Sequence, residues 1–209
     1  MLRLPPFELR RPRTLADAAA ILEGEGAGEG AAEGAGAGAS RPAGATLQAA
    51  RVRPVAGGTD LWPNMKRRHQ TAAVVVALAG IPELRGIDAD SELRLGATAT
   101  LDEVASHPAV RERYPALARA VESISSPPLR NMGTIGGNVC VDTRCTYYNQ
   151  TEEWRRSIDY CMKEAGTVCW VAPSSPRCWA HSASDSAPML AALGARVRLV
   201  SAAGERTVA

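Results

Sequence analysis

All five cysteines (Cys140, Cys145, Cys161, Cys169 and Cys178) and six of the nine aromatics (Tyr147, Tyr148, Trp154, Tyr160, Trp170 and Trp179) fall within residues 140–179. Outside it, a core has to be assembled from aliphatic and small residues, since only Phe7, Trp62 and Tyr114 remain for the other elements. The chain is therefore built of two unlike materials. Its 209 residues allow one ordinary domain or two small ones.

Lys and Arg total 24 against 22 Asp and Glu, a net charge of +2. That balance gives no field that would recruit nucleic acid or an anionic membrane. No run approaches the roughly 18 apolar residues of a spanning helix, and the opening MLRLPPFELRRP lacks the apolar centre of a secretory signal. The expectation is a cytoplasmic protein. In that compartment thiols stay reduced, so clustered cysteines read as metal or cluster ligands rather than disulfides, with buried structural thiols as the plain alternative.

Thr14 and the following LADAAAILEG form an N-cap and a short helix whose apolar face is Leu15, Ala18, Ala19, Ile21 and Leu22. Gly24 is expected to break it. Residues 24–45 are nearly all Gly, Ala and Glu, a composition that cannot offset its ordering entropy and predicts a flexible loop. Strands are expected at 53–55 and at 74–78, where Val-Val-Val-Ala-Leu reads as a buried run. Leu93 to Ala99 alternates as a strand does, and Thr100-Leu-Asp-Glu103 carries a capping box into a helix that stops before His107-Pro108. A second helix is expected over 116–124, halted by Ser-Ser-Pro-Pro. Residues 196–200 and 206–209 read as a hairpin.

Two glycine pairs stand in loop contexts. Ala56-Gly57-Gly58-Thr59-Asp60-Leu61 follows a strand, and Thr134-Ile135-Gly136-Gly137-Asn138 follows a proline-rich break. Paired glycines bring backbone N–H groups close to a pyrophosphate, although such pairs are more often plain turns. Neither has Rossmann or P-loop spacing, which removes support for nicotinamide and ATP chemistry. Between Asn138 and Asp185 lie all the cysteines but no compact CxxC pair; the spacings are Cys140-x4-Cys145-x15-Cys161-x7-Cys169-x8-Cys178. Spacing alone leaves both a four-thiolate zinc site and an iron–sulfur cluster open. His69, His107 and His181 share no spacing and none reads as catalytic, and Glu152, Glu153, Arg155 and Arg156 read as a solvated helix face.

In order, AGGTDL (56–61), LRNMGTIGGN (129–138) and SDSAPML (184–190) resemble the FAD-binding motifs of the flavoprotein subunit of molybdenum hydroxylases, the group that includes carbon monoxide dehydrogenase and xanthine dehydrogenase. The resemblance implies an α+β, PCMH-type FAD-binding fold of two small α/β subdomains with a cysteine-rich insertion. Its parts would be an N-terminal subdomain over 1–85, a second over 86–209 and the insertion at 140–180, with the family's C-terminal domain absent. It implies FAD contacts from Ala56, Gly57, Gly58, Thr59, Asp60 and Leu61 of the first motif and from Asn131, Gly133, Thr134, Gly136, Gly137 and Asn138 of the second. Asp185 belongs to the third motif, and Ile124 falls where the family has an apolar flavin contact. No residue of this chain is implied as catalytic.

DTRCTYYNQ (142–150), EEWRR (152–156) and CWVAP (169–173) further resemble the beta subunit of 4-hydroxybenzoyl-CoA reductase. That likeness implies a [4Fe–4S] cluster on Cys145, Cys161, Cys169 and Cys178, with Cys140 as a spare small residue. It implies partners too: a molybdenum-cofactor subunit and a [2Fe–2S] subunit, assembled as a dimer of heterotrimers, with ferredoxin as electron donor. The implied activity is reductive dehydroxylation to benzoyl-CoA. The alternative is the FAD subunit of an oxidative molybdenum hydroxylase, with a structural zinc or an exit cluster in the insertion.

Overall fold

The structure is a computed structural model, and it describes residues 3–26 and 51–209. Of the expected Gly/Ala loop, residues 27–45 lie outside the described residues.

Near the N-terminus a three-stranded parallel sheet has β3 (Val74–Ala77) at its centre, flanked by β1 (Glu8–Arg10) and β2 (Val52–Val55). The register sets Glu8 and Val52 beside Val74 and carries Val55 to Ala77. Val74, Val75 and Val76 are all buried, as a central parallel strand covered on both faces requires. Helix α1 (Leu15–Gly26) begins where expected, with Thr14 Oγ1 accepting from the Asp17 amide at 3.1 Å. It runs past Gly24 to Gly26, because an isolated glycine costs a helix only about 1 kcal/mol. Short helix α2 (Leu61–Lys66) connects β2 to β3 and buries Met65 with Val55, Ala72 and Val75, while Phe7 stacks on Trp62 at 5.5 Å between centroids.

A second core gathers α3 (Leu101–Ser106), α4 (Pro108–Arg113) and α5 (Pro115–Glu122) around Leu101, Val104, Val110, Leu117, Val121, Ile124 and Ile135. Thr100 closes the expected capping box: its Oγ1 accepts from the Glu103 amide at 3.1 Å and its own amide donates to Glu103 Oε2 at 2.7 Å. Helix α4 has no counterpart in the sequence reading, which took His107-Pro108 only as a stop. Proline is also well suited to the first position of a helix, where its missing N–H has no acceptor to lose, and both Pro108 and Pro115 open a helix in this way. The strand expected over 93–99 shrinks to β5 (Arg94–Leu95), paired with β4 (Ile87–Asp88). Gly96 ends it by packing so closely on the Leu84–Arg85 backbone that a Cβ would lie 2.4 Å from the Leu84 carbonyl oxygen.

Next come α6 (Pro127–Arg130) and α7 (Ile135–Val139), then residues 140–186 with α8 (Glu152–Ser157) as their one helix. Helix α9 (Ala187–Ala192) leads to the expected hairpin, β6 (Val197–Ser201) and β7 (Gly204–Val208), which turns through Ala202 and Ala203. Among the described residues, no helix is long and apolar enough to cross a membrane.

Thr100→Ala removes one half of the capping box and is expected to destabilise the protein by about 1 kcal/mol. Denaturant unfolding checks this, and an unchanged midpoint would mean that the box contributes nothing.

Candidate functional site: two glycine loops beside a thiol-lined cavity

The loop from β2 into α2 and the loop from α6 into α7 lie against each other. A Cβ on Gly57 would sit 1.7 Å from the Met132 carbonyl oxygen, and one on Gly133 would sit 3.4 Å from Thr59 Oγ1. Gly57 is thus required for the two loops to touch. Gly58 takes φ +74°, a left-handed turn that glycine adopts without strain. The amides of Gly57, Gly58, Thr59 and Asp60 donate to no acceptor among the described residues. Four successive free donors at a partly buried turn suit the pyrophosphate of a dinucleotide. The second loop is tied down instead: Leu101 donates to the Gly133 carbonyl at 2.8 Å, Ile135 donates to Ala99 at 2.9 Å, and Thr134 Oγ1 caps α7 by accepting from Gly137 at 3.1 Å.

Asn138 links the second and third motifs. Its Oδ1 accepts from Ser184 Oγ at 2.9 Å, from the Ser186 amide at 3.1 Å and from Ser186 Oγ at 2.6 Å. Ser184 and Ser186 are buried and bracket Asp185, which is exposed. The two serines escaped the sequence reading, although their placement on either side of a motif aspartate was the available signal. Just outside this clasp, Arg144 and His181 exchange backbone hydrogen bonds at 2.9 and 3.0 Å. Residues 144–181 therefore leave the glycine loop and return to it as a closed excursion. Asp60 of the first glycine loop forms an ion pair with Arg144, so the same excursion is anchored to both loops.

Within the excursion, Cys145, Cys161, Cys169 and Cys178 line one cavity together with Tyr147, Met162, Lys163, Trp170 and Ala180. Cys140 is exposed and does not line it. Burial pushes the Cys161 thiol up, partly opposed by the amides of Lys163 and Glu164 that point at its sulfur, with Cys145 and Cys178 close enough to add their own charge. At Cys169 burial also acts upward, but the amides of Ala172, Trp179 and Val171 outweigh it and bring the thiol below its ordinary value. The Ala180 amide donates to Cys178 Sγ at 3.4 Å. Backbone N–H groups directed at cysteine sulfur stabilise thiolates, the form in which cysteine binds metal. Among the described residues, no group of three or more His, Cys, Asp or Glu is arranged to hold a metal ion.

Trp170 reaches over the cavity with its indole Nε1 on the Tyr160 carbonyl at 2.7 Å, whereas Trp179 is half exposed, stands outside the wall and hydrogen-bonds Ser175. Ile124 packs into the helical core, 6% exposed. Asn131 is exposed at the start of the second loop. Arg155 corrects the reading of residues 152–156 as a wholly solvated face. It is 1% exposed, bonds Glu164 at 2.8 Å and Glu152 at 3.0 Å, and lies 5.7 Å from the Tyr148 ring centroid.

Comparison with known proteins bears on this site. The family described as the FAD binding domain in molybdopterin dehydrogenase matches residues 5–209. The chain belongs to that family. Its mixed helix-and-strand architecture is the family's PCMH-type FAD-binding fold. The carbon monoxide dehydrogenase medium chain of Hydrogenophaga pseudoflava is 32% identical over 136 residues, which cover 65% of this chain and 39% of that one. The aldehyde oxidoreductase FAD-binding subunit PaoB of Escherichia coli is 36% identical over 117 residues, or 54% of this chain and 36% of that one. The reconstituted carbon monoxide dehydrogenase from Oligotropha carboxidovorans aligns with a TM-score of 0.65 at 24% identity, covering 99% of this chain and 51% of that chain, and so shares the fold. The chain spans less than two fifths of the length of the two curated relatives.

Tyr148, 2% exposed beneath the cavity, has a hydroxyl with no partner. Burial, reinforced by Asp142 and Glu164, pushes its pKa up to about 12. In the unfolded chain the phenol loses its proton near 10, so the stability tied to Tyr148 is fully present below that pH and disappears as pH rises from about 10 through about 12, amounting to roughly 2–3 kcal/mol. Tyr148→Phe is expected to flatten the alkaline fall in stability over that window and to match or exceed the parent at pH 8, since the lost hydroxyl is unsatisfied. Denaturant unfolding from pH 8 to 12 reads both effects; a variant that is weaker at pH 8 contradicts the assignment.

Proposed function

We propose that this chain is the FAD-binding, electron-transferring part of a molybdenum hydroxylase-type oxidoreductase, with a [4Fe–4S] cluster bound by Cys145, Cys161, Cys169 and Cys178. The observation that carries the cluster is the convergence of those four thiols, and not the fifth, on one cavity. The donor set is wholly thiolate, soft in character, and backed by main-chain N–H groups, which suits iron–sulfur ligation.

For FAD, the free amides of residues 57–60 would hold the pyrophosphate, with Leu61 and the second loop from Asn131 to Asn138 closing the site from the other side. Asp60 turns its carboxylate to Arg144, which leaves its amide for the ligand. Bound in these places, a cluster supplies one-electron transfer at low potential and FAD supplies the exchange between one- and two-electron steps. The chain itself orients both groups and limits water at the cavity through Trp170 and Tyr147. A molybdenum-cofactor subunit and a [2Fe–2S] subunit would complete the enzyme, as a dimer of heterotrimers in the cytoplasm.

The relatives' own descriptions, a carbon monoxide dehydrogenase medium chain and an aldehyde oxidoreductase FAD-binding subunit, support electron flow outward from molybdenum through FAD. A second reading, that of a 4-hydroxybenzoyl-CoA reductase-like enzyme supplied by ferredoxin, is favoured by the cysteine cavity, because all-thiolate ligation favours low potentials suited to accepting electrons from a strong one-electron donor.

Anaerobic isolation is expected to give about four iron and four acid-labile sulfide per chain; one zinc and no sulfide would overturn the cluster. In the assembled complex, Cys161→Ser should lose the iron of this chain and keep FAD, while Cys140→Ser should keep both. Full iron retention in Cys161→Ser would reject the ligand set.

A further inference from the structure

Among the nine residues that line the thiol cavity, Lys163 is the one basic side chain. Its side chain is 7% exposed, and its ammonium is fixed by Asp142 Oδ1 at 2.8 Å, by the Thr143 carbonyl at 3.0 Å and by Thr143 Oγ1. The Tyr148 ring lies beneath it, 4.8 Å from Nζ to the centroid. These contacts are partly buried, with the Asp142 side chain 24% exposed. Asp142 Oδ2, on the far side of the carboxylate, is buried with no partner. A residue that lines the four-sulfur cavity thus carries a positive charge held in one place, with one negative charge paired to it. A mobile surface lysine would be screened by water more fully than this one.

We infer that Lys163 sets the reduction potential of the group bound by the four cysteines, and that Asp142 moderates it. The inference rests on the cluster reading above. One-electron reduction by a chemical reductant such as dithionite adds one negative charge to the four-thiolate site and breaks no bond. A fixed cation nearby stabilises the more negative, reduced form, and a fixed anion destabilises it, with weak screening at this depth. Lys163 therefore raises the potential and Asp142 lowers it. The two effects are separable, because without the Asp142 charge Lys163 keeps its bonds to Thr143 and its seat on Tyr148. Arg155, the other buried cation nearby, is already matched by Glu164 and Glu152 and is absent from the cavity wall.

The test is a dithionite titration of the anaerobic, iron-loaded protein in full-length form, followed by electron paramagnetic resonance at fixed poise. Iron and sulfide are counted first on the same samples, and their absence from the unsubstituted protein overturns the cluster reading and this inference with it. With iron present, Lys163→Met is expected to lower the reduced-to-oxidised ratio at a given poise about tenfold, which is ~59 mV for one electron. Lys163→Arg should restore the parent ratio, and Asp142→Asn should move it the opposite way. A purely structural role for Lys163 would disturb iron content without opposing shifts in the two variants. If Lys163→Met fails to hold iron, Asp142→Asn decides: a raised ratio supports the inference. Unchanged ratios in iron-loaded Lys163→Met or Asp142→Asn overturn it while leaving the cluster reading intact.

Discussion

A single carboxamide oxygen, Oδ1 of Asn138, holds the arrangement together. By accepting from Ser184 Oγ, the Ser186 amide and Ser186 Oγ, it brings the end of the second glycine loop to the start of the third motif across 46 to 48 positions of sequence. Closing so long an excursion is entropically costly, though the cost grows only slowly with length. Three hydrogen bonds to one partly buried oxygen, together with the two-way backbone pairing of Arg144 and His181, offset it at the neck. This is how a cysteine-rich segment can sit inside a flavin-binding fold.

With the neck closed, the two loops and the cavity become neighbours. Asp60 of the first loop pairs with Arg144, whose chain neighbour Cys145 lines the cavity. Lys163, from the far side of the excursion, returns to Asp142 and Thr143, which directly precede Arg144. Beneath them the Arg155–Glu164 pair is almost wholly buried, an arrangement whose desolvation cost can exceed its Coulombic gain. Its value here is positional. It fixes Glu164, whose amide points at Cys161, and gives Tyr148 a charged floor in a segment with little apolar core of its own.

Local signals in the sequence translated well wherever the physics was local. Thr14 and Thr100 cap the helices they were expected to cap, the valine run at 74–76 is the central strand, and the C-terminal hairpin forms in register. Helix α4 was hidden because proline both stops one helix and starts the next, a choice settled by the packing of Val110 and not by its neighbours in sequence. The alternation over 93–99 was cut short by a contact with residues 84–85 that no local pattern reveals. Charged residues at helical spacing look alike whether solvated or buried, so Arg155 was misread. In the site, the glycine pairs were legible as loops, but their role differs between positions: Gly57 serves loop-to-loop contact, while the free amides of 57–60 are what faces a ligand. The selection of four cysteines from five came from a resemblance, since spacing left it open.

The most direct test of the proposed cluster beside the flavin loops is metal K-edge X-ray absorption on the anaerobically isolated protein. The account predicts an iron edge with a sulfur-only first shell and a short iron–iron scattering path, from a cluster on four cysteines. A zinc edge with four sulfur neighbours and no metal–metal path, or nitrogen and oxygen ligands in the first shell, would contradict it.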